Sequence, residues 1–208
     1  MKTLILGTGL IALLLTGCQL PEDNSSYINE EEFQTKYDIR LQEDPNYKLN
    51  VNDLNIKQDI EDDSIFCYST ATTPKEKMQK LIEGLRLIPI DCNGGIDTSG
   101  NYECLLESEV LDTAAQENSI ALASGDSSKS LSDRASENGY NTQLIVGGTI
   151  IQDGDSEDAM IAAVESKMKS DANFCSYVVS RKTKDLGVGY DDANGKRYWT
   201  IILGDDAQ

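Results

Sequence analysis

Five cysteines and no histidine among 208 residues bound the chemistry open to this chain. Without imidazole it can build neither a Ser-His-Asp nor a Cys-His nucleophile system, nor the common His-based zinc sites. Carboxylates are the abundant reactive groups. Asp153-Gly154-Asp155-Ser156-Glu157-Asp158 crowds four of them, which suits weak calcium binding. The run lacks the twelve-residue order of an EF-hand, and a solvated turn leading into a helix explains it as well. Asp191, Asp192 and Asn194 read the same way. Ser127, Ser128 and Ser130 flank Lys129 without a surrounding nucleophile motif. Gly147-Gly148 could cradle a phosphate, but inside an apolar run a tight bend is the plainer expectation. No metal, cofactor or catalytic residue is assigned.

Net charge is −18, from 18 Lys and Arg against 36 Asp and Glu. Nucleic acid, itself polyanionic, is therefore excluded as a partner, and so is electrostatic attachment to an anionic membrane. The acids are unevenly spread. Residues 19–63 hold 13 Asp and Glu against 4 Lys and Arg, a net of −9. Low hydrophobicity and high charge predict a tether there, with one short helix around Glu30 to Leu41.

Ahead of it, Lys2 precedes an apolar run from Leu4 to Leu15 that closes on Leu15-Thr16-Gly17-Cys18. The run is short for a membrane span of about 20 residues and has the layout of an export signal. The cysteine directly after Thr-Gly resembles a bacterial lipobox. That resemblance implies cleavage before Cys18, lipidation of its sulfur and acylation (palmitate or similar) of the new N-terminus. Gln19, rather than Asp, resembles the pattern exported to the outer membrane. The expected organisation is a signal peptide over 1–17, a lipidated cysteine and acidic tether over 18–63, and one folded domain over 64–208. Cys67, Cys92, Cys104 and Cys175 remain, an even number outside the cytoplasm. They read as two disulfides with three possible pairings.

The elements that must position these residues follow from periodicity. Thr73 to Leu87 is a helix: Thr73 caps, Pro74 suits the first position, and Glu76 completes a capping box. Met78, Leu81, Ile82 and Leu85 form its apolar stripe. Ser108 to Ala123 is a second helix, with Ala114 and Ala115 permitting close packing. Leu131 to Asn138 is a short third, closed by Gly139. Leu144 to Ile151 reads as a buried bend leading into a short strand. Ser156 caps a further helix with Met160, Ile161, Val164 and Met168 on its apolar side. Phe174 to Val179 leads to a strand. Asp185 to Gly204 is a hairpin: Val188 and Tyr190 alternate with small residues, Tyr198 to Leu203 is β-branched and aromatic, and Asn194-Gly195 accepts positive φ. Trp199, the one tryptophan, is expected at the centre of the core. Helices early and strands late give an α+β class.

Several stretches, in order, resemble the CAP superfamily, the SCP/PR1-like domain of cysteine-rich secretory proteins. Ala114-Ala115 with Asn118-Ser119 is similar to the family's "AA..HS" helix, Asn118 standing where the family has His. Asp133-Arg134 to Gly139-Tyr140 is similar to "DR...aGY", and Ser170 to Cys175 to "SpGHc". Gly187-Val188-Gly189-Tyr190 through Tyr198-Trp199-Thr200 is similar to "GvG...YWtq". The resemblance implies a three-layer α-β-α sandwich. It also implies a cleft of two histidines and two acids, which this chain departs from. The "FSH" segment is shortened out between Ala123 and Lys129, the second histidine falls on Asn173, and the "GENI" glutamate falls near Gln143. Glu165 could stand in for the second acid. An amide cannot replace imidazole as proton shuttle, so the resemblance carries the scaffold and withholds the site. It further implies a Cys92–Cys175 bridge, leaving Cys67–Cys104. The local alternative is Cys92–Cys104 with Cys67–Cys175.

The function expected is a lipid-anchored protein of the bacterial cell envelope, held at the outer membrane. Its CAP-like domain would act as a non-enzymatic binding or interaction module for an envelope protein or a small lipid. The competing expectation is a hydrolase using carboxylates alone, Glu165 with an acid from the Asp153–Asp158 run, since carboxylate pairs do cleave glycosidic bonds.

Overall fold

The computed structural model describes residues 43–44, 46–60, 71–93, 104–141 and 144–205. The predicted helix at Glu30 to Leu41, and Cys18, Cys67 and Gln143, lie outside the described residues.

The hairpin is formed as its residues dictate. Strands β5 (Asp185–Ala193) and β6 (Lys196–Gly204) pair antiparallel from Ala193↔Lys196 to Asp185↔Gly204. Asn194 and Gly195 join them at φ 55° and 73°, the pair of positive values a type I′ turn requires. Strand β4 (Ile145–Asp153) runs antiparallel along the other side of β6, and β3 (Leu106–Glu107) lies parallel to the start of β5. The sheet order is β3-β5-β6-β4. Trp199, on the inner strand β6, is fully buried, and its indole N–H donates to Gln152 Oε1 at 2.7 Å. Gln152 passes the bond on to the carbonyls of Gly154 and Ser156, both at 3.0 Å.

Side chains alternate across β6, so it builds two cores. Ile202 packs with Leu111, Ala114, Ala115, Ala135 and Tyr140 on one face, under helices α3 (Glu109–Ala123) and α4 (Leu131–Glu137). Trp199, Ile201 and Leu203 pack on the other. That layer holds α2 (Pro74–Arg86), α5 (Glu157–Ser170) and α6 (Ala172–Val178). The result is an α+β fold in three layers, helices–sheet–helices. Helix α2 starts on the expected capping box of Thr73 and Glu76, and Gly139 follows α4 at φ 98°. A Cys92–Cys175 disulfide lies within the larger core. Cys104 is disulfide-bonded as well.

Three expectations are corrected. The run from Leu144 to Ile151 is no bend: Ile145–Asp153 is a nine-residue strand, and Gly148 is small because the Phe174 ring presses on it. Phe174 to Val179 is not a lead into a strand. Asp171 caps Phe174 N–H at 3.0 Å and a helix follows, with Phe174, Cys175 and Val178 buried at helical spacing. Residues 49–59, expected within the tether, form regular elements. Strand β1 (Leu49–Asn50) pairs parallel with β2 (Ile90–Asp91). A 3₁₀ turn at Val51–Asp53 and helix α1 (Ile56–Asp59) follow. Val51, Leu54 and Ile56 are each 1% exposed and belong to the larger core. Their i, i+3, i+5 spacing matches no single regular period, which is why the surrounding charge hid them. Leu54→Ala is expected to cost about 2 kcal/mol in urea unfolding; a neutral result would show that this segment contributes no core.

Candidate functional site

Helix α5 positions most of the residues singled out from the sequence. Ser156 caps it by accepting from Ala159 N–H at 3.2 Å. Met160, Val164 and Met168 face the core, so Asp158, Ile161, Ala162, Glu165, Ser166 and Lys169 fall on its outward sides. Helix α1 and the turn before it lie against this helix. Together they border a groove of about 560 Å³ lined by Asn55, Lys57, Asp158, Ile161, Glu165 and Lys169, among others.

The groove brings Glu165 and Asp158 together on one surface, as the carboxylate expectation requires, but not as a pair. They lie seven positions apart, a rise of about 10.5 Å along a helix. Each is committed elsewhere. Glu165 Oε2 accepts from Ile56 N–H at 3.1 Å, and Oε1 takes Lys169 Nζ at 2.7 Å. Asp158 pairs with Lys57 at 2.7 Å. Glu165 thus fastens the N-terminal segment to α5. Asn173 lies exposed on the first turn of α6 and is not among the residues that line this groove. Gln143 is outside the described residues. Of the three residues read as a cleft, the described structure places Glu165 in this groove and Asn173 outside its lining.

The acidic run at Asp153–Asp158 disperses rather than converges. Asp153 meets Lys196 at 3.4 Å, Glu157 meets Lys77 at 2.6 Å, and Asp158 meets Lys57. No cluster of three potential metal ligands occurs among the described residues. Asn118, which the resemblance set opposite a histidine, is a structural joint. Its Nδ2 donates to Thr200 Oγ1 at 3.0 Å, and its Oδ1 accepts from Arg134 Nε at 3.1 Å. Ser119 and Thr200 hydroxyls add a bond of 2.9 Å. All four side chains are buried, and they tie α3, α4 and β6 together.

Sequence reasoning missed two charged groups. Lys75 Nζ bridges Glu107 Oε1 at 2.6 Å and Asp112 Oδ2 at 2.5 Å. Asp112 Oδ1 also accepts from Val188 N–H at 2.8 Å. Burial pushes the Asp112 carboxyl up, while the hydrogen bond from Lys75 holds Glu107 down. Burial opposes the charge on Lys75, yet its bonds to Asp112 and Glu107 leave it above the usual lysine value. Residues from α2, β3 and α3 meet here only in the folded state, so no local pattern announces them.

The second is Glu83, 3% exposed, whose Oε1 accepts from Leu105 N–H at 2.7 Å. Burial pushes its carboxyl up to about 7, against the pull of that N–H and of Arg86. The native state therefore keeps a proton that the unfolded chain has lost above about pH 4.3. This group's contribution is full below that pH and is lost as pH rises through about 7. Glu83→Gln retains an acceptor for Leu105. We expect it to flatten the fall in stability between pH 4.5 and 8 by on the order of 3 kcal/mol, read from urea midpoints at the two pH values. Parallel profiles for the two proteins would refute the assignment.

No family model matches the chain, and no curated protein matches it. One solved structure, an extracellular protein containing an SCP domain from Bacillus anthracis, is similar over 65% of this chain and 45% of its own, at 14% identity and a TM-score of 0.43. The chain thus spans less than half the length of that protein.

Proposed function

We propose that this chain is a lipid-anchored protein of the bacterial cell envelope whose CAP-like domain is a non-enzymatic binding and interaction module. The anchor is a lipidated Cys18, the destination the outer membrane, and the partner another envelope protein. The observation that supports binding over hydrolysis is the engagement of the candidate acids. Both oxygens of Glu165 are occupied by Ile56 N–H and Lys169, and Asp153, Glu157 and Asp158 each face a lysine. A carboxylate held between two donors in the ground state is poorly placed to give or take a proton.

The test has two parts. Cys18→Ser is expected to move the protein from the membrane fraction to the soluble fraction and to abolish labelling by a palmitate analogue. The purified chain is expected to release nothing from peptidoglycan between pH 4 and pH 8. Glycan release that disappears in Glu165→Gln, with the melting temperature unchanged, would replace this reading with the hydrolase.

A further inference from the structure

Lys57, Lys77, Lys129 and Lys169 each meet one carboxylate. Lys75 meets two, and the three groups come from α2, β3 and the first turn of α3. Its Nζ lies 2.5 Å from Asp112 Oδ2 and 2.6 Å from Glu107 Oε1. The two oxygens of Asp112 are placed differently. Oδ2 faces the amine, while Oδ1 accepts from Val188 N–H at 2.8 Å. The carboxyl group of Glu107 is within hydrogen-bonding reach of Asp112 as well as of Lys75. Gln79, 1% exposed and one turn along α2 from Lys75, lies against Glu107 from the core side.

An ion pair needs only the charges. This cluster also has the parts that let an amine condense with a carboxyl group. The nucleophile touches the acid, an N–H donor sits on the oxygen that must carry negative charge, and a second carboxylate is placed to move protons. Burial pushes the Asp112 carboxyl up, so it accepts a proton at less cost than an exposed aspartate. Bonds from Lys75 and Gln79 hold Glu107 down, in the ionised form a base requires. Lys75 itself keeps its proton more firmly than a free lysine, so the reaction is a slow step that follows folding.

We propose that Lys75 and Asp112 condense to an isopeptide bond, with Glu107 as the catalytic residue, so that the folded chain cross-links itself. Lys75 passes a proton to Asp112 Oδ2, leaving a neutral amine beside a neutral acid. Nζ attacks Cγ, and Val188 N–H holds the oxyanion that forms at Oδ1. Glu107 takes a proton from the nitrogen and delivers it to the Oδ2 hydroxyl, which leaves as water. One N–C bond forms, one C–O bond breaks, and Glu107 ends as it began; no oxidant or other reactant is consumed. The bond stands apart from the reading of the chain as a binding module. Helices α2 and α3 lie in opposite layers, whereas the Cys92–Cys175 bridge sits within the larger core alone. An amide from α2 to α3 clasps the two layers around the β3–β5 edge, and unlike a disulfide it survives a reducing agent.

The test is the intact mass of the full chain, unfolded and with its disulfides reduced, directly after purification and again after prolonged incubation at neutral pH. A deficit of one water, about 18 Da, is expected. A tryptic digest should yield the Lys75 and Asp112 peptides joined. Lys75→Arg keeps the charge and should restore the full mass. Glu107→Gln, at a half-exposed position, should keep the far-ultraviolet circular dichroism and slow the cross-link at least about 100-fold. Full mass at both times would overturn the proposal. So would a deficit that persists in Lys75→Arg, which would place the lost water elsewhere, as in cyclisation at Asp153-Gly154. Cross-linking at an undiminished rate in Glu107→Gln would remove Glu107 as the catalytic residue and overturn the mechanism.

Discussion

Gly189→Ala is expected to lower stability by more than about 3 kcal/mol, at or beyond the usual cost of overpacking. A Cβ there would lie 2.2 Å from Gln116 N and 2.4 Å from the Ala115 carbonyl carbon. Both are backbone atoms of α3, so no rotamer change relieves the clash and the helix itself must move. Moving it would also pull Gln116 off the Tyr190 backbone and Asp112 off Val188. The comparison is Gly195→Ala in the hairpin turn, where the added methyl meets nothing within 4 Å and only the positive φ of 73° is unfavourable. That change should cost about 1 kcal/mol. Equal costs in urea unfolding would mean that α3 is not seated on β5 by this close approach.

The second large effect is loss of the Cys92–Cys175 bridge. It closes a separation of 83 residues, for which the loop-entropy relation gives about 4.5 kcal/mol. That is a large share of the roughly 5–15 kcal/mol by which domains are stable. The bridge joins the end of β2 to α6, a helix of seven residues, too short to persist by its own propensity. The Cys92→Ala, Cys175→Ala double variant should therefore lower the urea midpoint sharply. Amide protection should be lost first in α6 and in β4, where Phe174 presses on Gly148. A shift worth less than about 1 kcal/mol would show that packing alone holds α6 in place.

Much of the fold was legible because its signals are local. Thr73-Pro74 with Glu76 starts a helix wherever it lies, since the capping bonds close within one turn. Asn194-Gly195 between alternating runs makes a hairpin for the same reason. The continuous run at Leu144–Ile151 was ambiguous because its inward and outward residues are both apolar, and a period cannot be read where no contrast exists. Residues 49–56 were misread because three buried side chains sit among charges that stay in water.

By itself the sequence determined helices α2 to α5 and the hairpin, the acidic character of the chain, and the exclusion of histidine chemistry. These depend on residue identity and on spacings of a few positions. Only the tertiary structure decided what the charged groups do. Glu165 became the anchor of Ile56 and Lys169 rather than a cleft acid, Lys75 joined Glu107 to Asp112, and Glu83 was buried to the point of holding its proton. It also decided that α3 covers the β5 edge, while among the described residues no strand pairs with the outer side of β4. Each of these depends on atoms brought together across 4 to 109 positions in the chain, and over most of that range no periodic pattern reaches from one partner to the other.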